Sequence, residues 1–239
     1  MEGWLEDSLH RVVSATSPTA LFTTLTDTAK LLGFDYCAYG MRAPVPINNP
    51  KVSIFSNYSA EWQATYAREG FVHIDPTVRH GMRSSLPLIW TDELFASAPE
   101  FWDAAKANGL KIGWAQSCID SAGNRGMLTL ARSTERMTDN EFQLKSDKMS
   151  WLAQIAHSSM ARLAAEQLPA KPAGHNPLTS RELEVLRWTA DGKTSGEVGD
   201  ILNITERTVN FHIGQCIEKL GVNNKLAASV RAAMLGLLF

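Results

Sequence analysis

The run from Leu178 to Met234, LTSRELEVLRWTADGKTSGEVGDILNITERTVNFHIGQCIEKLGVNNKLAASVRAAM, constrains this chain most, because short amphipathic stretches alternate there with capping residues and glycines. Thr179 followed by Glu182 fits a capping box, in which hydroxyl and carboxylate each satisfy a free backbone N–H. Leu183, Val185 and Leu186 give that helix an apolar face, and Gly192 stops it. A second short helix from about Thr194 carries Val198, Ile201 and Leu202, and Asn203 and Thr205 break it and cap the next. The third, about Glu206 to Leu220, places Val209, Ile213, Cys216, Ile217 and Leu220 on one packing face and Arg207, Asn210, Phe211, Gly214, Gln215 and Glu218 on the other. Beyond Gly221, Asn223 and Asn224 offer a cap for a fourth helix through Leu226, Val230, Met234 and Leu237. Its alanines at 227, 228, 232 and 233 permit close approach, either within the domain or to a second copy. These helix and turn lengths outline a helix-turn-helix DNA reader. On its outward face Phe211 suits thymine methyls, Asn210 adenine, and Arg207 guanine or phosphate; the alternative is a solvated face.

Upstream lies a larger domain. The stretch QLPAKPAGHNP holds three prolines and a glycine and is read as a linker, so the expected division is 1–168, linker 169–177 and DNA reader 178–239. Residues 170–239 hold eight Lys/Arg and seven Asp/Glu, net +1, against 15 and 18 upstream, net -3. So weakly basic a reader depends on base contacts and a few phosphates, and binds better as a dimer. Cys37, Cys118 and Cys216 are widely spaced without a C-x-x-C pair, which suggests reduced thiols in a cytoplasm and no zinc site. The N-terminus does not read as a signal peptide, and no apolar run approaches a membrane span.

In the larger domain, helical patterns near 3–14, 17–33, 59–69, 99–109 and 138–165 flank strand-like runs at 35–41, 51–56, 112–119 and 126–132, with a possible short strand at 86–90. Strand–helix–strand repetition is missing, so the expected fold is an α/β (α-β-α) sandwich with an antiparallel sheet, joined to an all-α four-helix reader. Thr138 and Glu141 resemble another capping box. Aromatics with polar tips, Tyr58, Trp62, Tyr66 and Trp90, accompany Asp75 in the apolar context FVHIDPTV. A buried carboxylate needs donors. Asp75 is therefore either a cap at a helix start among core aromatics, or the polar anchor of a closed small-molecule pocket.

The pattern Tyr58-x3-Trp62-x3-Tyr66, Asp75-Pro76, Trp90 and Gly113, joined to Glu182-x3-Leu186 and Gly192, resembles the LuxR-type quorum-sensing transcription factors over essentially the whole chain. The resemblance implies an N-terminal domain that binds an N-acyl-homoserine lactone, with no cofactor. By that resemblance Trp62 donates to the lactone carbonyl, Asp75 accepts the ligand amide N–H, and Tyr58, assisted by Thr129, donates to the acyl carbonyl. Tyr66 and Trp90 wall the head group, while Phe95, Phe101, Trp102, Ala105, Leu110 and Ile112 line or support the pocket. Gln63 stands where some relatives carry Arg, so no charged contact to a 3-oxo group is implied there. On the DNA side the resemblance places Lys193, Thr194, Arg207 and His212 near phosphates, with Asn210, Phe211 and Gly214 toward the groove and Thr208 among the DNA-binding residues.

Rival readings fail on missing motifs. His73, Asp75 and His80 could suggest a metal site or a hydrolase, yet no H-E-x-x-H, G-x-S-x-G or phosphate loop is present. A phospho-receiver would need strand–helix repeats ending in acidic residues. A regulator of the same fold that answers another small molecule, or none, stays open. The expected mechanism is ligand burial that completes the N-terminal core and favours a homodimer on a two-fold symmetric promoter site, with RNA polymerase as a further partner. Phe142, Met149, Leu152, Ile155, Met160 and Leu163 offer either a dimer surface or a face packed on the sheet.

Overall fold

The computed structural model describes residues 10–44, 46, 49–134, 137–166 and 178–238. The expected linker, and residues 3–9 of the first helical pattern, lie outside the described residues; residues 10–13 are helical. The chain divides into two compact units, Met1–Asp120 with Asn124–Pro169, and Ser121–Gly123 with Ala170–Phe239.

The first unit is built on a five-stranded, wholly antiparallel sheet of order β2-β1-β5-β4-β3, from β1 (Tyr36–Arg42), β2 (Val52–Ser56), β3 (Leu88–Ile89), β4 (Ile112–Ile119) and β5 (Arg125–Arg132). One face packs on α1 (Pro18–Leu31) and the long α6 (Asp139–Glu166). The other faces α2 (Ala60–Arg68), a 3-10 turn (Phe71–His73), α3 (Pro76–Gly81), α4 (Asp92–Phe95) and α5 (Pro99–Ala107). Strand alternation separates two cores. Cys37, Tyr39, Trp114, Cys118, Leu128 and Leu130 point toward α1 and α6, whereas Trp62, Phe71, Phe95, Phe101 and Trp102 pack on the opposite side.

Local chemistry explains the boundaries. Ser17 caps α1 ahead of Pro18, which has the fixed φ suited to a first helical position. The apolar stripe of α6 is spent inside this unit: Met149, Leu152, Met160 and Leu163 are buried in the first core, and Phe142 and Ile155 pack against it. The buried members of that stripe thus pack on the sheet, the second of the two expected readings. The expected capping box of α6 is half formed. Thr138 accepts from Glu141 N at 3.2 Å, but the Glu141 carboxylate turns to buried Arg132, with both guanidinium nitrogens at 2.8 Å, and to Lys145 at 2.7 Å. Two cations outcompete one backbone N–H, and they push the Glu141 carboxyl down to about 2.

The second unit is four helices: α7 (Ser180–Ala190), α8 (Ser195–Leu202), α9 (Glu206–Leu220) and α10 (Lys225–Met234). Thr179 and Glu182 form a reciprocal capping box, as do Thr194 and Glu197. Glu182 is buried and also binds Lys219 Nζ at 2.8 Å, and its backbone oxygen accepts from the buried Cys216 thiol. Between α8 and α9, Asn203 adopts a left-handed φ of 52° before Thr205 caps α9. Gly199 is required at this turn, because a Cβ there would stand 2.8 Å from the Ile204 carbonyl oxygen. The buried face of α10 is its small one: Ala228 and Ala232 pack on Leu178, Leu186, Cys216 and Leu220, while Leu226 is 73% exposed.

Candidate ligand cavity and DNA-reading helix

A cavity of about 400 Å³ lies between the sheet and helices α2 to α5, within the ordinary range for a small-molecule site. Its floor follows from strand parity. The register pairs Ala38 with Ser56 and Thr129, and Gly40 with Ile54 and Met127, so these side chains share the face turned from α1 and α6. All six line the cavity.

Asp75 sits at its polar end, 8% exposed. As N-cap of α3 its Oδ1 accepts from Thr77 N at 2.8 Å and from Thr77 Oγ1 at 2.7 Å, and its Oδ2 accepts from Tyr66 Oη at 3.0 Å. Both readings of Asp75 thus meet in one residue: it caps a helix start and lines a cavity. Burial raises its pKa, against the hydrogen bonds from Thr77 and Tyr66 that lower it. Burial also pushes up the Tyr58 and Tyr66 hydroxyls, so both remain donors at neutral pH.

Trp62 is 2% exposed and packs with its ring on Tyr66, Phe71 and Phe101 at 5.8–5.9 Å. Among the described residues its indole N–H donates to nothing, and the same holds for the hydroxyls of Tyr58 and Thr129. Three donors and a carboxylate with remaining acceptor capacity thus line one apolar space. Trp90 closes another wall, edge-on to Phe95 and Trp102, which are stacked at 4.2 Å. Trp102 is held in turn by its Nε1 donating to Asp92 at 2.6 Å. The indole of Trp90 lies over Gly113, where a Cβ would overlap its six-membered ring. That overlap is the physical reason for a glycine at this point of β4.

The cavity walls gather Tyr58, Trp62, Tyr66, Asp75, Trp90, Phe95, Phe101, Trp102, Ala105, Leu110 and Thr129. Ile112 is not among them, and its expected place is corrected by parity. It alternates with Gly113, pairs with Arg132 and shares the face of Trp114 and Cys118, on the side of α1 and α6. Reasoning from the sequence also missed the sheet wall, Ala38, Gly40, Arg42, Val52, Ile54, Arg125 and Met127, which period-2 alternation across β1, β2 and β5 would have revealed once the register was known. Gln63 lines the cavity too, with its Nε2 donating to the Tyr58 carbonyl at 2.8 Å.

In the second unit Val209, Ile213, Cys216 and Leu220 are the buried face of α9. Lys193, Thr194, Arg207, Asn210, Phe211 and Gly214 are exposed, and Thr208 and His212 half-buried. Phe211 is 62% exposed and lies against the His212 ring. Asn210 Oδ1 accepts from Ser195 Oγ at 2.7 Å, a bond that ties α9 to α8. Thr194 and Thr208 are partly engaged locally, by Glu197 and Thr205. An exposed aromatic flanked by amide and cation, on a helix held by a tight turn, is a surface suited to a major groove.

Comparison with known proteins agrees with both halves. Residues 17–160 match the autoinducer binding domain, and residues 176–232 match the bacterial regulatory proteins of the luxR family. The chain is 46% identical over 240 residues, the whole of both chains, to the transcriptional activator protein AnoR of Acinetobacter nosocomialis. A crystal structure of Escherichia coli SdiA superposes with a TM-score of 0.80 at 33% identity, covering 100% of this chain and 99% of that one. SdiA in complex with octanoyl-rac-glycerol gives 0.79 at 33% identity, covering 99% and 96%. Among the described residues no helix is long and apolar enough to cross a membrane. The chain belongs to the LuxR family: it is a quorum-sensing transcriptional regulator, not an enzyme, with an autoinducer-binding domain and a helix-turn-helix DNA-binding domain.

Proposed function

We propose that the autoinducer is an N-acyl-homoserine lactone, and that the liganded protein acts as a cytoplasmic homodimer on a two-fold symmetric promoter site. The observation that carries this reading is the pairing, in one buried apolar cavity, of an acceptor-only carboxylate with otherwise unused donors. Asp75 suits an amide N–H, and Trp62, Tyr58 and Thr129 suit two carbonyl oxygens. Tyr66 and Trp90 wall the head group. Phe95, Phe101, Trp102, Ala105 and Leu110 supply apolar wall, where each buried methylene of an acyl tail contributes about 0.8 kcal/mol.

On the DNA side Asn210 and Phe211 read base edges, Gly214 lets the helix approach closely, and Lys193, Thr194, Arg207, Thr208 and His212 lie toward phosphates. With so few cations per reader, two readers one helical turn apart supply the affinity. The likeness to a protein named a transcriptional activator supports activation, with RNA polymerase as the further partner.

The test is mass spectrometry of small molecules that copurify with protein expressed beside a panel of acyl lactones, paired with a promoter reporter. A lactone should copurify with the wild type, and Asp75→Ala and Trp62→Phe should abolish the response while the C-terminal unit stays folded. An unchanged dose response in both variants would refute the assignment. SdiA in complex with octanoyl-rac-glycerol favours a second reading, a neutral acyl glycerol, which shares the apolar tail but has no amide N–H for Asp75. Copurification of the glycerol ester in place of a lactone selects it.

A further inference from the structure

One end of the cavity has chemistry that a plain acyl tail does not use. Arg42 and Arg125 pair directly across β1 and β5, and the strand parity that brings Ala38, Gly40, Met127 and Thr129 to the floor brings both arginines to the same face. Both line the cavity and are half-buried. Neither makes an ion pair or side-chain hydrogen bond with any described residue. Asp120, at the adjoining turn, is held by Asn124 N and Nδ2 at 2.8 and 2.7 Å. Like charges placed directly opposite across strands oppose the pairing, so this arrangement gains from an anion between them.

The pair lies at the opposite end from the head-group donors. Tyr58 packs on Tyr36, at the start of β1, with ring centroids 5.9 Å apart, while Arg42 ends that strand. From Thr129 to Arg125 is four residues of β5, roughly 13 Å at about 3.3 Å per residue. The floor between the two ends is open at Gly40, where a Cβ would meet nothing within 4 Å. An extended chain advancing about 1.25 Å per carbon, from bonds of about 1.5 Å, covers that distance in roughly ten carbons.

We propose that Arg42 and Arg125 form a second, anion-accepting subsite for the far end of the acyl chain, so that the cavity takes a medium-length chain ending in a carboxylate. Two guanidinium forks match a carboxylate in shape and charge, and the carboxylate relieves their mutual repulsion. The inference rests on the reading of Asp75, Trp62 and Tyr58 as the head-group end.

The experiment titrates the full chain calorimetrically with decanoyl-homoserine lactone and with its counterpart carboxylated at the tenth carbon. The wild type should bind the carboxylated lactone at least as tightly as the plain one, and rising salt should erode its affinity alone. Arg42→Leu combined with Arg125→Leu should weaken the carboxylated lactone about tenfold or more, while decanoyl-homoserine lactone, whose terminal methyl meets leucine in place of the arginine stems, should bind no more weakly than to the wild type. Arg42→Lys, which keeps the charge but loses the fork, should fall between. If the double variant weakens both lactones equally, the arginines only pack their stems along the tail and the subsite is refuted. It is equally refuted if decanoyl-homoserine lactone binds while the carboxylated one does not. If neither binds, the head-group reading fails, and the subsite with it.

Discussion

Asp75 serves fold and cavity through the same two oxygens. It caps α3 through Thr77 and presents its other edge to Tyr66 and the cavity. Asn caps a helix about as well as Asp, so Asp75→Asn should melt within a few degrees of the wild type by circular dichroism. With Oδ1 still capping, its Nδ2 would turn a donor toward the ligand amide. Lactone affinity should then fall about tenfold to a hundredfold, the worth of a charge-assisted hydrogen bond. Proton linkage gives a second readout. Burial raises the Asp75 pKa in the free protein, and an amide N–H favours the ionised form, so binding releases a proton. Affinity should weaken as pH falls through that raised value and stay flat in Asp75→Asn. Glu141 titrates the other way. Arg132 and Lys145 hold it down to about 2, so its stabilisation is complete above the ordinary carboxylate value and lost as pH falls from there toward 2. Glu141→Gln leaves a buried guanidinium without its anion and should cost about 2–3 kcal/mol, less than a fully buried pair because Glu141 is partly exposed. Urea unfolding at neutral pH measures that loss, and the difference between variant and wild type should shrink toward pH 2.

At the scale of elements, Gly199 and Gly113 each mark a place where two pieces of backbone or ring meet too closely for a Cβ. Gly199→Ala sets a methyl 2.8 Å from the Ile204 carbonyl oxygen, a backbone atom with no rotamer to yield. The turn that carries the Thr205 cap and orients α9 would shift. The C-terminal unit should lose about 1–3 kcal/mol, and gel shifts should show weaker promoter binding with lactone affinity unchanged; a variant that binds promoter normally would show that the turn tolerates the shift. The four reader helices were legible in the sequence because Thr179, Thr194, Thr205 and Asn224 announce each start and the apolar face of α9 repeats cleanly. The main strands were legible for similar reasons. The short pieces α3, α4 and the 3-10 turn were not, because three to six residues hold too little periodicity and their ends are set by tertiary packing. That Ile112 falls on the side of α1 and α6 is not legible without the register, since a shift of one residue exchanges the faces of a strand. The Arg42–Arg125 pair was illegible for a related reason: residues 83 apart become neighbours only through the sheet.

For the whole molecule, the net charge of -2 is divided unevenly, with the slight positive excess in the DNA-reading half. Binding energy that enters through the cavity stabilises the first unit by mass action, about 2.7 kcal/mol when free ligand is a hundredfold above its Kd. The cysteines make that gain visible unit by unit. Cys37 and Cys118 lie in the first core and Cys216 in the second unit, all buried, with burial pushing their thiols up to about 12, 11 and 11. Folded, they are nearly inert toward an alkylating reagent, since the thiolate is what reacts. Their modification rates therefore time the openings of each unit. Saturating lactone should slow labelling of Cys37 and Cys118 many-fold, and mass spectrometry of digested protein should find Cys216 labelled at its former rate. Equal slowing at all three would mean that the units open together. Three thiols placed for packing thus work as built-in clocks, two set by the signal and one by the reader.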